Sequence, residues 1–155
     1  LAGLSHGCPG WAIAASSSED GLLRQREEML ERITAVMDAD SEERFTYAAG
    51  LAARFGQHRS EVYGVLETWL DYWRDMMLVK LGCRDMVTNI DRLDTLDTVA
   101  RSYRLEAIRD FIEHLRAAGD SLHQNANARL VLEVLMLDLP EKEAKDAPAL
   151  RPSLR

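Results

Sequence analysis

Gln124-Asn125-Ala126-Asn127-Ala128-Arg129-Leu130-Val131-Leu132-Glu133-Val134-Leu135-Met136-Leu137-Asp138-Leu139-Pro140 spells out one helix with both of its ends. Two asparagines stand at its head, where an asparagine oxygen accepts a bond from an orphan N–H of the first turn. A proline stands at its foot. Arg129 and Glu133 are the only charges before Asp138, and their i,i+4 spacing lets them pair along the helix. The apolar residues fall on more than one face, so the helix is expected to be wrapped by protein as a core element that closes a bundle.

Helical spacing recurs through the rest of the chain. Apolar residues Leu22, Leu23, Met29, Leu30, Ile33, Val36 and Met37 predict a helix over 21–39, with Glu27, Glu28, Glu31 and Arg32 on its wet face. Asp40 and Glu43 have capping-box spacing and open a helix that stops at Gly56. Ser60 can cap the longest and richest helix, which carries Val62, Leu66, Trp69, Trp73, Met76 and Met77 and ends at Gly82 in the C-cap role. Asp91 with Asp94 starts a short helix, and Ser102 can cap the next, whose face is Leu105, Ile108, Phe111, Ile112 and Leu115. Gly119-Asp120 marks either a break or a weak spot before the closing helix. Near the start, Gly7-Cys8-Pro9-Gly10 reads as a tight turn before a short helix from Trp11 to Ala15, and Ser16-Ser17-Ser18 as a linker or a cap. Residues 141–155 mix charges with Pro148 and Pro152 and are expected to be disordered. No strand-type alternation is present, so the fold class is all-α, a helical bundle.

Composition narrows the function by exclusion. A chain of 155 residues that is 46 % hydrophobic and 29 % charged is an ordinary globular domain able to bury a core. Its net charge of −7 is the wrong sign for gripping a nucleic-acid backbone, so no direct nucleic-acid contact is expected. Trp69, Tyr72 and Trp73 would make a base-stacking platform, but Glu67, Asp71 and Asp75 beside them favour core or protein interface. Cys8 and Cys83 lack metal spacing and fit a reducing cytoplasm, and no apolar run reaches membrane-spanning length. No P-loop and no His-Glu-x-x-His helix exist, and His6, His58, His114 and His123 are scattered. Cys8 sits beside a helix N-terminus but has no positioned base, and solvated charge is the default for Asp94/Asp97 and Glu27/Glu28. No catalytic residue, cofactor or metal is expected. The chain opens on Leu1 without an initiator methionine and inside a helical pattern, which suggests a piece of a longer polypeptide.

Three stretches together resemble a known family. Leu4-Ser5-His6-Gly7-Cys8-Pro9-Gly10-Trp11-Ala12 is similar to the Leu-Ser-x-Gly-Ser-Pro-Gly-x-Ala stretch in the lid of bacterial clamp-loader subunits of DNA polymerase III. Trp69 to Met77 resembles the Trp-x-Arg-Asp-Leu-Leu segment of their C-terminal domain, and Leu122 to Glu133 their closing Asn-x-Asn-x-Arg-Leu-x-Leu-Glu helix. The resemblance covers about residues 1–140. It implies that residues 1–18 end a small helical lid, that 19–140 form the helical collar joining subunits into a ring, and that 141–155 are a tail. In motor subunits the lid turn carries a Gly-Ser-x-Arg sensor whose arginine contacts ATP. Here Gly10 fills the arginine slot of Gly7, Cys8, Pro9 and Gly10, so the turn implies no nucleotide sensing. The resemblance further implies that other clamp-loader subunits are the partners, with self-association open to the isolated chain. It nominates Trp69, Trp73, Asn125, Asn127, Arg129 and Glu133 as interface residues. A gamma/tau motor collar, or a helical docking domain of another AAA+ protein, is the alternative.

Overall fold

Helix α3, Arg59–Lys80, is the axis of the fold. In the computed structural model, which describes residues 9–143 and side chains from residue 21 onward, α3 touches more of the other helices than any of its neighbours does. Those neighbours are α1 (Pro9–Asp38), α2 (Ser41–Phe55), α4 (Leu93–Ala100) and α5 (Leu105–His123), while α6 (Ala128–Leu137) lies along α2 and against α5. Two short 3-10 turns, Arg84–Met86 and Ile90–Arg92, join α3 to α4, and no strand occurs among the described residues. The architecture is the expected all-α bundle.

The axis owes its position to its aromatic side chains. Trp69, Tyr72, Trp73 and Met76 are at most 1 % exposed. The Trp73 ring lies 4.6 Å from that of Phe111 and 5.3 Å from that of Tyr103, and Trp69 lies 6.1 Å from Phe111. Burying each indole removes roughly 150–250 Å² from water, worth about 4 to 6 kcal/mol. That gain exceeds the ~1–3 kcal/mol cost of the unpaired Trp73 Nε1–H. The indole of Trp69 is paired, donating to the Tyr47 hydroxyl at 3.2 Å.

Several ends form as the sequence indicates. Asp40 accepts from the Glu43 N–H at 2.9 Å and caps α2. Gly82, at φ +80°, closes α3: its N–H donates to the Val79 carbonyl, and the Cys83 N–H to that of Leu78. This pair of bonds is a Schellman closure.

Other expectations need correction. α3 starts after His58 with no side-chain cap, so Ser60 lies in its first turn and caps nothing. Arg104, not Ser102, precedes α5, and the Ser102 carbonyl instead accepts from the Glu143 N–H at 2.8 Å. Arg92 precedes α4, and Asp91 is spent on an ion pair with Arg26 at 3.3 Å. α5 runs unbroken through Gly119-Asp120. α1 runs unbroken through Ser16-Ser17-Ser18, so the expected boundary at 18/19 falls inside one helix, with Pro9 and Gly10 as its first residues. Gly7 and Cys8 lie outside the described residues, as does the tail from 144; residues 142 and 143 are tied to the bundle.

Two glycines should respond to alanine with opposite signs. A Cβ at Gly119, within α5, meets nothing within 4 Å, so Gly119→Ala should raise unfolding free energy by about 0.5–1 kcal/mol. Gly82→Ala forces a side chain into the left-handed region and should lower it by about 1–2 kcal/mol. Urea titration measures both, and shifts of the same sign would contradict the assignment of the α3 end.

Candidate functional site

The residues nominated for an interface divide into two sets. Trp69 and Trp73 are 1 % and 0 % exposed, so they are core and offer no surface to a partner. Asn125, Asn127 and Arg129 are exposed and Glu133 is half-buried, all at the head of α6.

Backbone geometry explains the two asparagines. Asn125 sits at φ +59°, its N–H donating to Leu122 and that of Ala126 to Ser121, which closes α5 as Gly82 closes α3. Asparagine tolerates this region better than other non-glycine residues. Its side-chain oxygen also accepts from Arg59 at 3.1 Å, fixing the turn to the start of α3. Two residues on, Asn127 accepts from the Leu130 N–H at 3.1 Å and caps α6. One short turn therefore ends one helix and begins the next. The Arg129 guanidinium then pairs with Glu133 at 2.8 Å.

What α6 does with its apolar residues differs from expectation. Leu132, Leu135 and Met136 are buried, but Leu130, Val134 and Leu137 are 61 %, 44 % and 65 % exposed. At 100° per residue these three form a stripe opposite the buried one. Among the described residues, one face of α6 is wrapped and the other is left exposed. Beside the stripe runs an open groove of about 240 Å³, lined on α5 by Ala117, Ala118 and Ser121 and also by His114 and Asp138, whose Nδ1 and Oδ2 lie 3.4 Å apart. Other large apolar side chains stand exposed on α1 (Leu22, Leu23) and on the α3–α4 connection (Leu81, Met86, Ile90). Among the described residues, no three His, Cys, Asp or Glu side chains come together as a metal site, and Cys83 is a free, exposed thiol. No helix there is long and apolar enough to cross a membrane.

A second polar feature was not foreseen. Asp75 is fully buried on α3, and its carboxyl oxygens accept from the Thr88 N–H at 3.0 Å, the Asn89 N–H at 2.8 Å and the Asn89 Nδ2 at 2.6 Å. The Asn89 oxygen in turn accepts from Arg26 of α1. The signal was available: Asp75 lies three residues after Tyr72 and four before Val79, inside the stripe that α3 buries. Nearby, the hydroxyls of Tyr72 and Tyr103 have no partner, and burial pushes both up to about 12.

Replacing Asp75 tests the first cluster. Asp75→Ala strands three donors and should cost about 3 kcal/mol in urea unfolding, whereas Asp75→Asn keeps one acceptor oxygen and should cost about half as much. An alanine variant within ~0.5 kcal/mol of the parent would show that the network is dispensable. The two tyrosines give a pH dependence. Their folded values lie above the ordinary 10, so the folded state holds protons that the unfolded state releases. Stability should fall between pH 10 and about 12, by up to roughly 1.4 kcal/mol per pH unit for each tyrosine, and Tyr103→Phe should flatten that decline.

Comparison of the chain with protein-family models, with curated proteins and with solved structures gave no match.

Proposed function

We propose that this chain is a non-catalytic assembly domain: the helical collar, with the end of the lid, of a clamp-loader subunit of bacterial DNA polymerase III, of the delta-prime type. Its task is to hold the pentameric loader of the sliding clamp together during DNA replication. The observation that carries this is the bare stripe Leu130, Val134 and Leu137 on the closing helix. Water-exposed leucines at helical spacing beside an apolar groove favour association, because covering them with another helix removes apolar surface from solvent.

Sequence supports the narrower part of the reading. Gly10 in the arginine slot of the lid turn gives no side chain to hold a phosphate, which separates a delta-prime-like subunit from the gamma/tau motors. The net charge of −7 suits protein partners better than DNA, so DNA contact belongs to other parts of the machine. The parent protein is then a subunit of a DNA-directed DNA polymerase holoenzyme working in the cytoplasm, with ATP chemistry outside this chain. Delta and gamma/tau are its neighbours, and in their absence the bare stripe is free to pair with a second copy.

Mixing provides the test. Combined with collar domains of delta and gamma/tau, the chain should elute as one larger species in size-exclusion chromatography with light scattering. The double substitution Val134→Glu with Leu137→Glu should weaken that assembly by more than about tenfold while leaving the circular dichroism unchanged. Separate monomers in the wild-type mixture would refute the collar assignment, and unimpaired assembly of the variant would refute the role of α6.

A further inference from the structure

The chain beyond α6 holds a feature independent of the assembly reading. α6 has ten residues against the nineteen of α5, so it covers only part of its neighbour. Leu139–Glu143 continues without helical structure and reaches Ser102 and Arg104, the residues just before α5. This strap has one apolar anchor, Leu139, 3 % exposed. Its other attachments are polar: Lys142 pairs with Asp38 at the end of α1, the Glu143 N–H donates to the Ser102 carbonyl at 2.8 Å, and the Glu143 carboxylate lies 3.8 Å from Arg104.

Two of those attachments, Ser102 and Arg104, stand on either side of Tyr103 in the chain. Tyr103 follows Ser102, its ring stands 5.3 Å from that of Trp73, and Asp38 is close enough to act electrostatically on both Tyr72 and Tyr103. The hydroxyls of Tyr72 and Tyr103, Trp73 Nε1 and Arg44 Nε are all buried with no hydrogen-bond partner among the described residues. We propose that Leu139–Glu143 is a latch: it seals this polar cluster when closed and admits water to it when open, while the helices stay folded.

Two opposing sets of forces poise the latch. What holds it is one leucine, the Glu143–Ser102 backbone bond, and two ion pairs whose side chains are largely exposed and therefore screened by salt, Lys142 with Asp38 and Arg104 with Glu143. What opposes it is the group of unpaired polar atoms beneath, each of which regains water on opening. Local openings of this kind occur well below the free energy of global unfolding.

Acetylation of tyrosine hydroxyls by N-acetylimidazole at neutral pH, mapped by mass spectrometry, reads the latch in the intact chain. Tyr103 should be protected at low salt and react several-fold faster near 1 M sodium chloride. Lys142→Glu sets like charge against Asp38 and should raise the Tyr103 rate about tenfold with unchanged circular dichroism. Glu143→Pro removes the N–H donated to Ser102 and should act in the same direction, which covers the case in which the first variant folds poorly. Amide hydrogen exchange at Leu66 and Trp69, both buried on α3, reports general unfolding. Tyr103 rates that stay unchanged in both variants and in salt overturn the latch, as do Tyr103 rates that rise only together with exchange at Leu66 and Trp69.

Discussion

The buried carboxylate of Asp75 is the constraint on which the connections of this bundle depend. After Gly82 the chain must reverse and deliver α4 and α5 to the flank of α3, and nothing in the sequence from Cys83 to Asn89 forms a helix long enough to steer it. The steering comes from α3 itself. Asp75 collects the backbone N–H groups of Thr88 and Asn89, and beside them Val87 is seated in the core at 4 % exposure. Asn89 then passes the tie to Arg26, so one polar node joins the axis, the connection and α1. An acceptor-only group is well suited to this place, because every neighbour it meets is a donor.

With the connection fixed, the aromatic side chains of α3 and α5 set the rigid part of the molecule. Trp69, Trp73, Tyr103 and Phe111 meet at tilted or edge-on angles of 56° to 63°, which aromatic quadrupoles prefer over flat stacking. α6 is attached differently. Its start is fixed by Asn125 and Asn127, and its end is held through the strap, so this helix has polar fastenings at both ends. Such fastenings fix direction more than they add stability, since exposed pairs contribute little.

The sequence was informative wherever one short interval decides the outcome. Asp40, Gly82 and Asn127 were readable as helix ends because a cap is a contact within about four residues. Ser60, Ser102 and Asp91 look equally suited and fail: α3 begins one residue before Ser60, α5 begins three after Ser102, and the Asp91 carboxylate is paired with Arg26, a partner no local window contains. Periodicity leaves Trp69 and Trp73 open between core and interface, and packing decides for the core; Asp75 lies in the same buried stripe, held there by donors from a connection thirteen and fourteen residues on. For α6 the composition points to a helix wrapped on more than one face, and that expectation fails: among the described residues Leu132, Leu135 and Met136 are covered while Leu130, Val134 and Leu137 are not, a division set by tertiary packing that no local window contains.

That shortfall bears on how an assembly domain must be built. A subunit in a ring meets two neighbours, and a ring that closes needs two different faces on each member rather than one face used twice. Exposed large apolar side chains occur here in two groups on separate elements: Leu130, Val134 and Leu137 on α6, and Leu22, Leu23, Leu81, Met86 and Ile90 on α1 and the α3–α4 connection. α6 packs on α2 and α5, whereas the connection packs on α3 and is tied to α1, so the two groups belong to different neighbourhoods of the bundle. On the assembly reading, the rigid aromatic axis carries the geometric information, fixing the angle at which one neighbour is presented relative to the other. Changes to that axis would then alter the shape of the ring, while changes to either exposed group would alter only the strength of one contact.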